Sequence, residues 1–200
     1  WHPEGEQEIF SMEELIEAFS IERIGKSGAK FDFEKAKWFN QQYIKHTPDE
    51  VLAEMILDFA PDNLKDFPKT YLTDVCRLMK ERVTFLPDFW RDGYFFFTPP
   101  TTFDEKTIAK KWNLKCLAYF TDVQYRLGAI GPFTAQNFEE LIKSNMLNAG
   151  LGLGDVLPIL RIMLAGTISG PPVFEMAALL GEHEVNNRMT TFFKSYQVSG

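Results

Sequence analysis

One arginine stands inside one of the most apolar stretches of the chain. Residues 157–166 read LPILRIMLAG, and Arg161 is their only charged residue. Burying an unpaired guanidinium costs on the order of several kcal/mol, so a chain that keeps one there usually supplies an anion or a hydrogen-bond acceptor. The segment therefore predicts either a ligand at Arg161 or an internal pairing with a carboxylate or a helix C-terminus, and both interpretations stay open at this point.

Arg82 is a second candidate for ligand contact. It follows Val75 by seven residues and Leu78 by four, which on a helix places it at the edge of an apolar stripe. We expect its donors to lie near the Leu86-Pro87 turn. A guanidinium held in this way can donate two parallel hydrogen bonds to a phosphate or to a base edge.

Two groups of basic residues accompany these arginines. Residues 106–115 carry Lys106, Lys110, Lys111 and Lys115 beside Trp112, and Arg77 and Lys80 are spaced i, i+3 on the predicted exposed side of another helix. Such groups are usually solvated helix faces, and they are also the kind of patch that contacts nucleic-acid phosphates.

Cysteine and histidine give no metal-binding pattern. Cys76 and Cys116 lie far apart with no CxxC partner, and the three histidines are scattered. This spacing assembles no zinc site and predicts two reduced cysteines in the core.

The sequence also lacks a complete nucleotide-binding or catalytic motif. Gly25-Lys26-Ser27 resembles the end of a phosphate-binding loop, but Ser20 stands where that loop needs glycine. Gly150, Gly152 and Gly154 lack the dinucleotide-binding spacing and are better explained as helix terminators. Paired glutamates stand at predicted helix starts, where the helix dipole favours them, so we predict no catalytic residue.

Composition limits the kind of partner. The chain has 200 residues, 45% of them hydrophobic and 24% charged, with a net charge of −7. This charge disfavours indiscriminate nucleic-acid binding but allows a local basic patch.

No apolar run approaches the roughly 20 residues of a membrane-spanning helix. The start at Trp1, without a basic and apolar leader, suggests a fragment or processed product. We expect a monomeric cytoplasmic protein with no membrane partner.

Helix signals run along most of the chain. Ser11 with Glu14, and Thr47 with Glu50, predict capping boxes, the second with Pro48 as the first helical residue, and Asp32 is expected to cap a helix over 33–45. A longer helix is predicted over 69–84. Further helices are expected near 104–111, 114–127, 135–148, 155–165, 172–180 and 182–196.

The pattern changes at residues 86–100, which are rich in aromatics and end in Pro99-Pro100. We place a boundary there because consecutive prolines interrupt helices. No alternating strand pattern is present, so the fold class is predicted to be all-α, in helical bundle subdomains.

The chain resembles the C-terminal part of bacterial-type glutamyl-tRNA synthetases, which are class I aminoacyl-tRNA synthetases. The resemblance runs from residue 1 to about 193. It is carried by motifs in family order: EIFSMEELIEAF at 8–19, IERIGKSGAKFD at 21–32, LMKERV at 78–83, LGD at 153–155, PILR at 158–161, LAG at 164–166, GP at 170–171 and LLG at 179–181, with Arg188 near the end.

The resemblance implies three regions. Residues 1–46 would end the stem-contact region, and residues 47–100 and 101–200 would be two helical anticodon-binding subdomains. Arg82 and Arg161 occupy the positions of arginines that recognise anticodon bases in this family. Thr167 and Gly170 would also lie at the anticodon, where we place Lys80 as well. The basic clusters themselves suggest Arg77, Lys106, Lys110 and Lys111 as contacts to the tRNA backbone.

The resemblance also implies what the parent enzyme does. It would attach glutamate to tRNA(Glu) using ATP and Mg²⁺. The HIGH-type and KMSKS-type signatures of the ATP site are absent from this chain. We therefore expect the chain to be inactive alone and to hold no cofactor or metal. Two alternatives stay open: a ligase of relaxed specificity that also charges tRNA(Gln), and a helical protein-interaction module without RNA binding. The latter rests on the acidic balance and on aromatics at 90–97 that look exposed in the sequence.

Overall fold

The computed structural model describes residues 3, 5–25, 28, 30–144 and 146–198, and it is helical. The first half contains α1 (Met12–Ala18), α2 (Phe33–His46), α3 (Asp49–Phe59), α4 (Lys69–Met79) and α5 (Asp88–Arg91). The second half contains α6 (Glu105–Lys111), α7 (Leu114–Arg126), α8 (Ala135–Ser144), α9 (Leu153–Ala165), α10 (Val173–Leu180) and α11 (Glu182–Ser195). Short 3₁₀ turns lie at Ile21–Arg23, Asp62–Leu64, Tyr94–Phe96 and Leu127–Ala129.

The all-α prediction is confirmed, since the described residues form helices and turns and no strand. In the part of the chain that the structure describes, no helix has the length and apolar character to cross a bilayer. Lys26 and Ser27, which belong to the rejected phosphate-loop pattern, lie outside the described residues, as do Trp1 and His2.

Buried apolar side chains form one cluster that extends from Ile44 in α2 to Phe192 in α11. Helix α3 packs against α4, and α10 contacts α4, α8, α9 and α11. Because α10 is apolar nearly throughout, it can bury side chains against several neighbours at once. It therefore joins the α3–α4 pair to the later helices. The division at residues 46 and 100 stays a prediction from the sequence.

Two of the three predicted caps are confirmed. The Ser11 hydroxyl accepts from the Glu14 amide at 3.2 Å and the Glu14 carboxylate accepts from the Ser11 amide at 2.7 Å, while Asp32 accepts from the Lys35 amide at 3.0 Å. The predicted Thr47 capping box is wrong. Thr47 ends α2, where its hydroxyl donates to the Tyr43 carbonyl at 2.7 Å, and Pro48 takes the N-cap position of α3.

Some helix bounds differ from the prediction because burial continues beyond the helix. Helix α4 ends at Met79 rather than at 84, yet Val83 in the following turn is fully buried. Helix α8 ends at Ser144 rather than at 148, and Met146 beyond it is buried in a turn. The spacing of apolar residues predicts which residues are buried, but a buried residue can lie in a compact turn as well as in a helix.

The aromatic segment at 89–97 is not an exposed surface. Phe89, Phe95 and Phe96 are buried, and Trp90, Tyr94 and Phe97 pack against the core. The sequence-based interpretation of these aromatics as exposed is therefore wrong. The segment, which precedes Pro99-Pro100, packs into the core.

Candidate functional site

Arg161 lies on the third turn of α9 and is partly buried. Gly152 is the N-cap residue of α9, and its amide donates to the Asp155 carboxylate at 3.2 Å. The Arg161 Nη1 donates to the carbonyl of Pro171, which follows α9 in the chain. Burial lowers the pKa of Arg161 below its ordinary value, and the positive charge of Arg82 lowers it further. An arginine stays protonated under such shifts, so the site keeps its charge.

Arg82 lies in the turn after α4, with its side chain exposed. Its backbone amide donates to the Met79 carbonyl at 2.8 Å, and the neighbouring Val83 is fully buried. Because Val83 points into the core, the preceding residue is directed towards solvent. The structure thus brings the two predicted arginines within electrostatic range, although 78 positions separate them in the sequence.

These two arginines differ from the others in their partners. Within residues 30–144 and 146–198, every other arginine pairs with a carboxylate: Arg77 with Asp74, Arg91 with Asp88, Arg126 with Asp122 and Arg188 with Glu184. Over the same residues Arg82 and Arg161 form no ion pair. Like charges without counter-charges repel one another, so the arrangement favours an external anion or acceptor.

The loop after α9 closes against Arg161. Gly166 ends the helix in the left-handed conformation at φ 73°, and the Ser169 amide donates to the Thr167 hydroxyl at 3.2 Å. Ile168 at the tip is 53% exposed, which leaves an apolar surface beside the guanidinium. A Cβ built on Gly170 would lie 3.2 Å from Arg161 Nη1. The loop therefore surrounds Arg161 closely but leaves it partly accessible.

A hollow of about 320 Å³ adjoins this loop. Its lining combines a hydroxyl, two basic side chains and apolar surface, from Thr107, Lys111, Leu157, Pro158, Arg161 and Ile168. Apolar walls with a few polar groups are typical of ligand sites. The hollow brings Lys111 of α6 and Arg161 of α9 to one surface.

The carboxyl end of α9 is fixed by contacts from three other segments. The Tyr94 hydroxyl donates to the Ala165 carbonyl at 2.7 Å, the Arg188 guanidinium donates to the Leu164 carbonyl, and the Asp104 amide donates to the Gly166 carbonyl at 2.9 Å. These bonds satisfy carbonyls that a helix end leaves without partners. They also hold the start of the 167–170 loop in place.

The remaining basic candidates fall into two groups. Lys80 pairs with Asp49 at 2.8 Å, Arg77 with Asp74 at 3.1 Å and Glu175 at 3.3 Å, and Lys111 with Asp155 at 3.4 Å. Lys106 and Lys110 on α6 are exposed and form no ion pair among the described residues. Lys80 is also only 23% exposed, which differs from the exposed helix face expected for it.

Sequence reasoning missed the residues that hold the site in place. Tyr94 and Arg188 bond the end of α9, and Asp88 bonds the turn that follows Arg82. Arg188 appeared among the family motifs without a role. For Asp88, a signal was present in Leu86-Pro87-Asp88, because an acidic residue directly after proline often belongs to a helix start.

The site offers hydrogen-bond donors and no obvious nucleophile. Burial raises the pKa of the Cys76 thiol to about 12 and raises that of Cys116, so both thiols stay protonated at neutral pH. Among the described residues, no group of three or more histidine, cysteine, aspartate or glutamate side chains could hold a metal ion. The chemistry that this arrangement supports is binding of acceptor groups by guanidinium and ammonium donors.

Comparison with known proteins identifies the family of the chain. Residues 51–193 match the family model described as an anticodon binding domain. Among curated proteins, the chain is 39% identical over 190 residues to a glutamate–tRNA ligase of Cytophaga hutchinsonii and 37% identical over 194 residues to one of Amoebophilus asiaticus. These alignments cover 94% and 96% of this chain and 37% of each relative.

A solved structure shows the same fold. The crystal structure of a glutamate tRNA ligase from Elizabethkingia meningosepticum, in complex with its amino acid, superposes with a TM-score of 0.88 at 33% identity. It covers 98% of this chain and 39% of that protein, so the chain spans well under half the length of its relatives. The chain belongs to the anticodon binding domain family and resembles the C-terminal part of glutamate–tRNA ligases.

Proposed function

We propose that this chain is the tRNA-binding part of a glutamate–tRNA ligase and that Arg82 and Arg161 bind the anticodon. The observation that carries the proposal is a pair of arginines that are close enough to interact electrostatically and that have no carboxylate partner among the described residues; Arg161 lies against the loop 167–170. The match to an anticodon binding domain over residues 51–193 supports the choice of ligand. A tRNA anticodon supplies unstacked bases whose edges carry the acceptors that arginines recognise.

In this proposal the two arginines contact base edges and the lysines contact phosphates. Thr167 and Gly170 border the base bound at Arg161, with Ile168 available for apolar contact. Lys106 and Lys110 are the favoured phosphate contacts because they are exposed and form no ion pair among the described residues. Lys80, Arg77 and Lys111 would first have to leave carboxylates, which reduces their net contribution.

The complete ligase would join glutamate to tRNA(Glu) with ATP and Mg²⁺ in its catalytic domain. The described residues offer no cluster suited to a metal ion, so no step involving Mg²⁺ is assigned to them. We propose tRNA(Glu) as the partner, with tRNA(Gln) as the additional partner of a relaxed-specificity ligase. A monomeric, cytoplasmic protein remains our expectation.

The test is binding of the chain to an anticodon stem-loop of tRNA(Glu), compared with stem-loops that carry altered anticodon bases. Arg82→Ala and Arg161→Ala should each weaken cognate binding by about 1–3 kcal/mol, the value of a bidentate base contact, and should reduce the preference for the cognate loop. Arg126→Ala is the matched control because Arg126 pairs with Asp122 at 3.2 Å. Equal binding of all loops by the unmodified chain would refute the anticodon assignment.

A salt series separates base contacts from phosphate contacts. Lys110→Ala should weaken binding to every stem-loop alike and lower the dependence of log K on log salt by about one unit. Arg161→Ala should instead change the ratio between loops. A stem-loop of tRNA(Gln) included in the same series decides between strict and relaxed specificity.

A further inference from the structure

The turn that carries Arg82 is fixed by side chains from three helices. Lys80 at the end of α4 pairs with Asp49 of α3 at 2.8 Å, and Glu81 pairs with Lys45 of α2 at 3.0 Å. The Asn40 amide of α2 donates to the Thr84 carbonyl. An exposed turn after a helix has few contacts of its own, so such a set of external bonds limits its conformations.

Asp88 makes the most direct of these contacts. Its Oδ2 accepts from the Thr84 amide at 2.9 Å and from the Phe85 amide at 2.8 Å, and its Oδ1 accepts from Arg91 Nη2 at 2.6 Å. The residue is 4% exposed. A buried carboxylate that accepts two backbone amides is a strong local constraint, because hydrogen bonds to an ionised group are stronger than neutral ones.

The constraint acts on a residue that has few contacts of its own. Arg82 is exposed and makes no ion pair among the described residues, and its positive charge and that of Arg161 are unfavourable to each other. The direction of the Arg82 side chain therefore depends on the backbone of the turn. Thr84 and Phe85 lie two and three residues beyond Arg82, with buried Val83 between, so Asp88 restrains the backbone that sets the direction of Arg82.

We propose that Asp88 is a positioning residue for anticodon recognition: it holds the turn over residues 82–85 and thereby fixes the direction in which Arg82 is presented. This rests on the proposed function of the two arginines. Asp88 itself is 4% exposed and is bonded to Thr84, Phe85 and Arg91, so its carboxylate is not available to a bound base. Its loss should therefore act only through Arg82, which separates positioning from direct binding.

The variants distinguish the turn contact from the ion pair. Asp88→Ala removes both. Asp88→Asn keeps an oxygen that can accept from the Thr84 and Phe85 amides and gives up the charge facing Arg91. Arg91→Ala removes the ion pair and leaves the turn contacts. If Asp88→Ala fails to fold, Asn40→Ala probes the same turn by removing the donor to the Thr84 carbonyl.

The main readout is the ratio of affinities for the cognate and altered anticodon stem-loops. Asp88→Ala should lower this ratio by about tenfold, the scale of one lost base contact, whereas Asp88→Asn and Arg91→Ala should largely keep it. Asp88→Ala added to Arg82→Ala should cause no further loss of the ratio, because both act through one side chain. An additive loss, or an unchanged ratio in Asp88→Ala, would overturn the proposal.

A second readout does not depend on RNA. Amide order parameters from NMR relaxation should fall over residues 82–85 in Asp88→Ala and stay high in Asp88→Asn. If the unmodified chain shows no anticodon preference, the proposed function fails; the relaxation data then still decide whether Asp88 holds the turn. Unchanged order parameters in Asp88→Ala would refute the positioning role on their own.

Discussion

Gly170 lies so close to Arg161 that a Cβ at this position would be 3.2 Å from the guanidinium Nη1. Its φ of 149° is also one that residues with a side chain rarely adopt. Both the close approach to the arginine and the positive φ therefore favour a residue without a side chain at this point of the loop after α9.

The first prediction concerns this glycine. Gly170→Ala should displace Arg161 or the loop and weaken binding of the cognate stem-loop on the order of fivefold, because a bidentate contact is sensitive to small shifts. Gly154→Ala is the control, since a Cβ there meets no atom within 4 Å and the residue lies in the first turn of α9. Equal affinities of the two variants would contradict the close packing at Gly170.

The second prediction concerns Gly166, which ends α9 at φ 73°. A Cβ at Gly166 would lie 2.4 Å from the Thr102 carbonyl oxygen and 2.9 Å from the Pro100 Cβ. Gly166→Ala should lower the free energy of unfolding by about 2–4 kcal/mol, from the left-handed conformation and from overpacking together.

Gly131→Ala isolates the conformational part. Gly131 has φ 75°, and a Cβ there meets no atom within 4 Å. Gly131→Ala should lower the free energy of unfolding by about 1 kcal/mol. Urea unfolding followed by circular dichroism measures the free energy of unfolding of both variants. If Gly166→Ala loses no more stability than Gly131→Ala, residues 100–102 must move to accommodate the new side chain.

The third prediction concerns Arg188, which is 4% exposed. It donates to the Leu164 carbonyl and pairs with Glu184 at 2.7 Å. Arg188→Ala should destabilise the protein by about 3 kcal/mol, because it leaves the carbonyl and the carboxylate without their partner. Lys143→Ala, which breaks the exposed pair with Glu139, should cost less than about 0.5 kcal/mol in the same unfolding assay. Equal losses of the free energy of unfolding in the two variants would show that the buried contacts of Arg188 stabilise the protein no more than an exposed ion pair does.

The fourth prediction follows from two buried acidic groups. Burial raises the pKa of Cys76 from 9.0 to about 12 and that of Tyr119 from 10.0 to about 12. Each group is protonated in the folded protein at pH values where it ionises in the unfolded chain. Stability is therefore fully present below pH 9 and should fall as the pH rises towards 12, by up to about 1.4 kcal/mol per pH unit for each group.

Urea titrations at neutral pH and at about pH 10.5 measure this decline. Cys76→Ala should make the decline shallower because it removes one of the groups. Tyr125→Phe is the control, since Tyr125 is 89% exposed. An identical decline in Cys76→Ala and in the unmodified protein would show that the thiol does not contribute.

Local signals predict much of this fold. Ser11 and Asp32 reveal helix starts because an N-cap depends on residues within three positions of each other. Thr47 misleads because Pro48 follows it: the proline takes the cap position, and the threonine hydroxyl turns back to Tyr43. Val83 and Met146 mislead because the core extends beyond the helix end.

The sequence marks candidate residues but not their arrangement. The residue pattern and the family resemblance both single out Arg82 and Arg161, but the sequence gives no measure of their separation, which depends on how α4, α9 and α10 pack. The ion pairs of Lys80 with Asp49 and of Arg77 with Glu175 join distant parts of the chain and escape pattern analysis for the same reason. The aromatics at 89–97 were expected to be exposed but are core residues, because the spacing of hydrophobic residues outside a helix does not distinguish core from surface.

The ion pairs of Arg77, Lys80 and Lys111 also affect how quickly RNA reaches the protein. With many cations neutralised and a net charge of −7, the long-range field around most of the surface repels a polyanion. Attraction is confined to distances comparable to the Debye length around the two arginines and α6, about 8 Å at physiological ionic strength. Encounter with tRNA should therefore gain little from electrostatic steering, and added salt should slow association less than it does for strongly basic RNA-binding proteins.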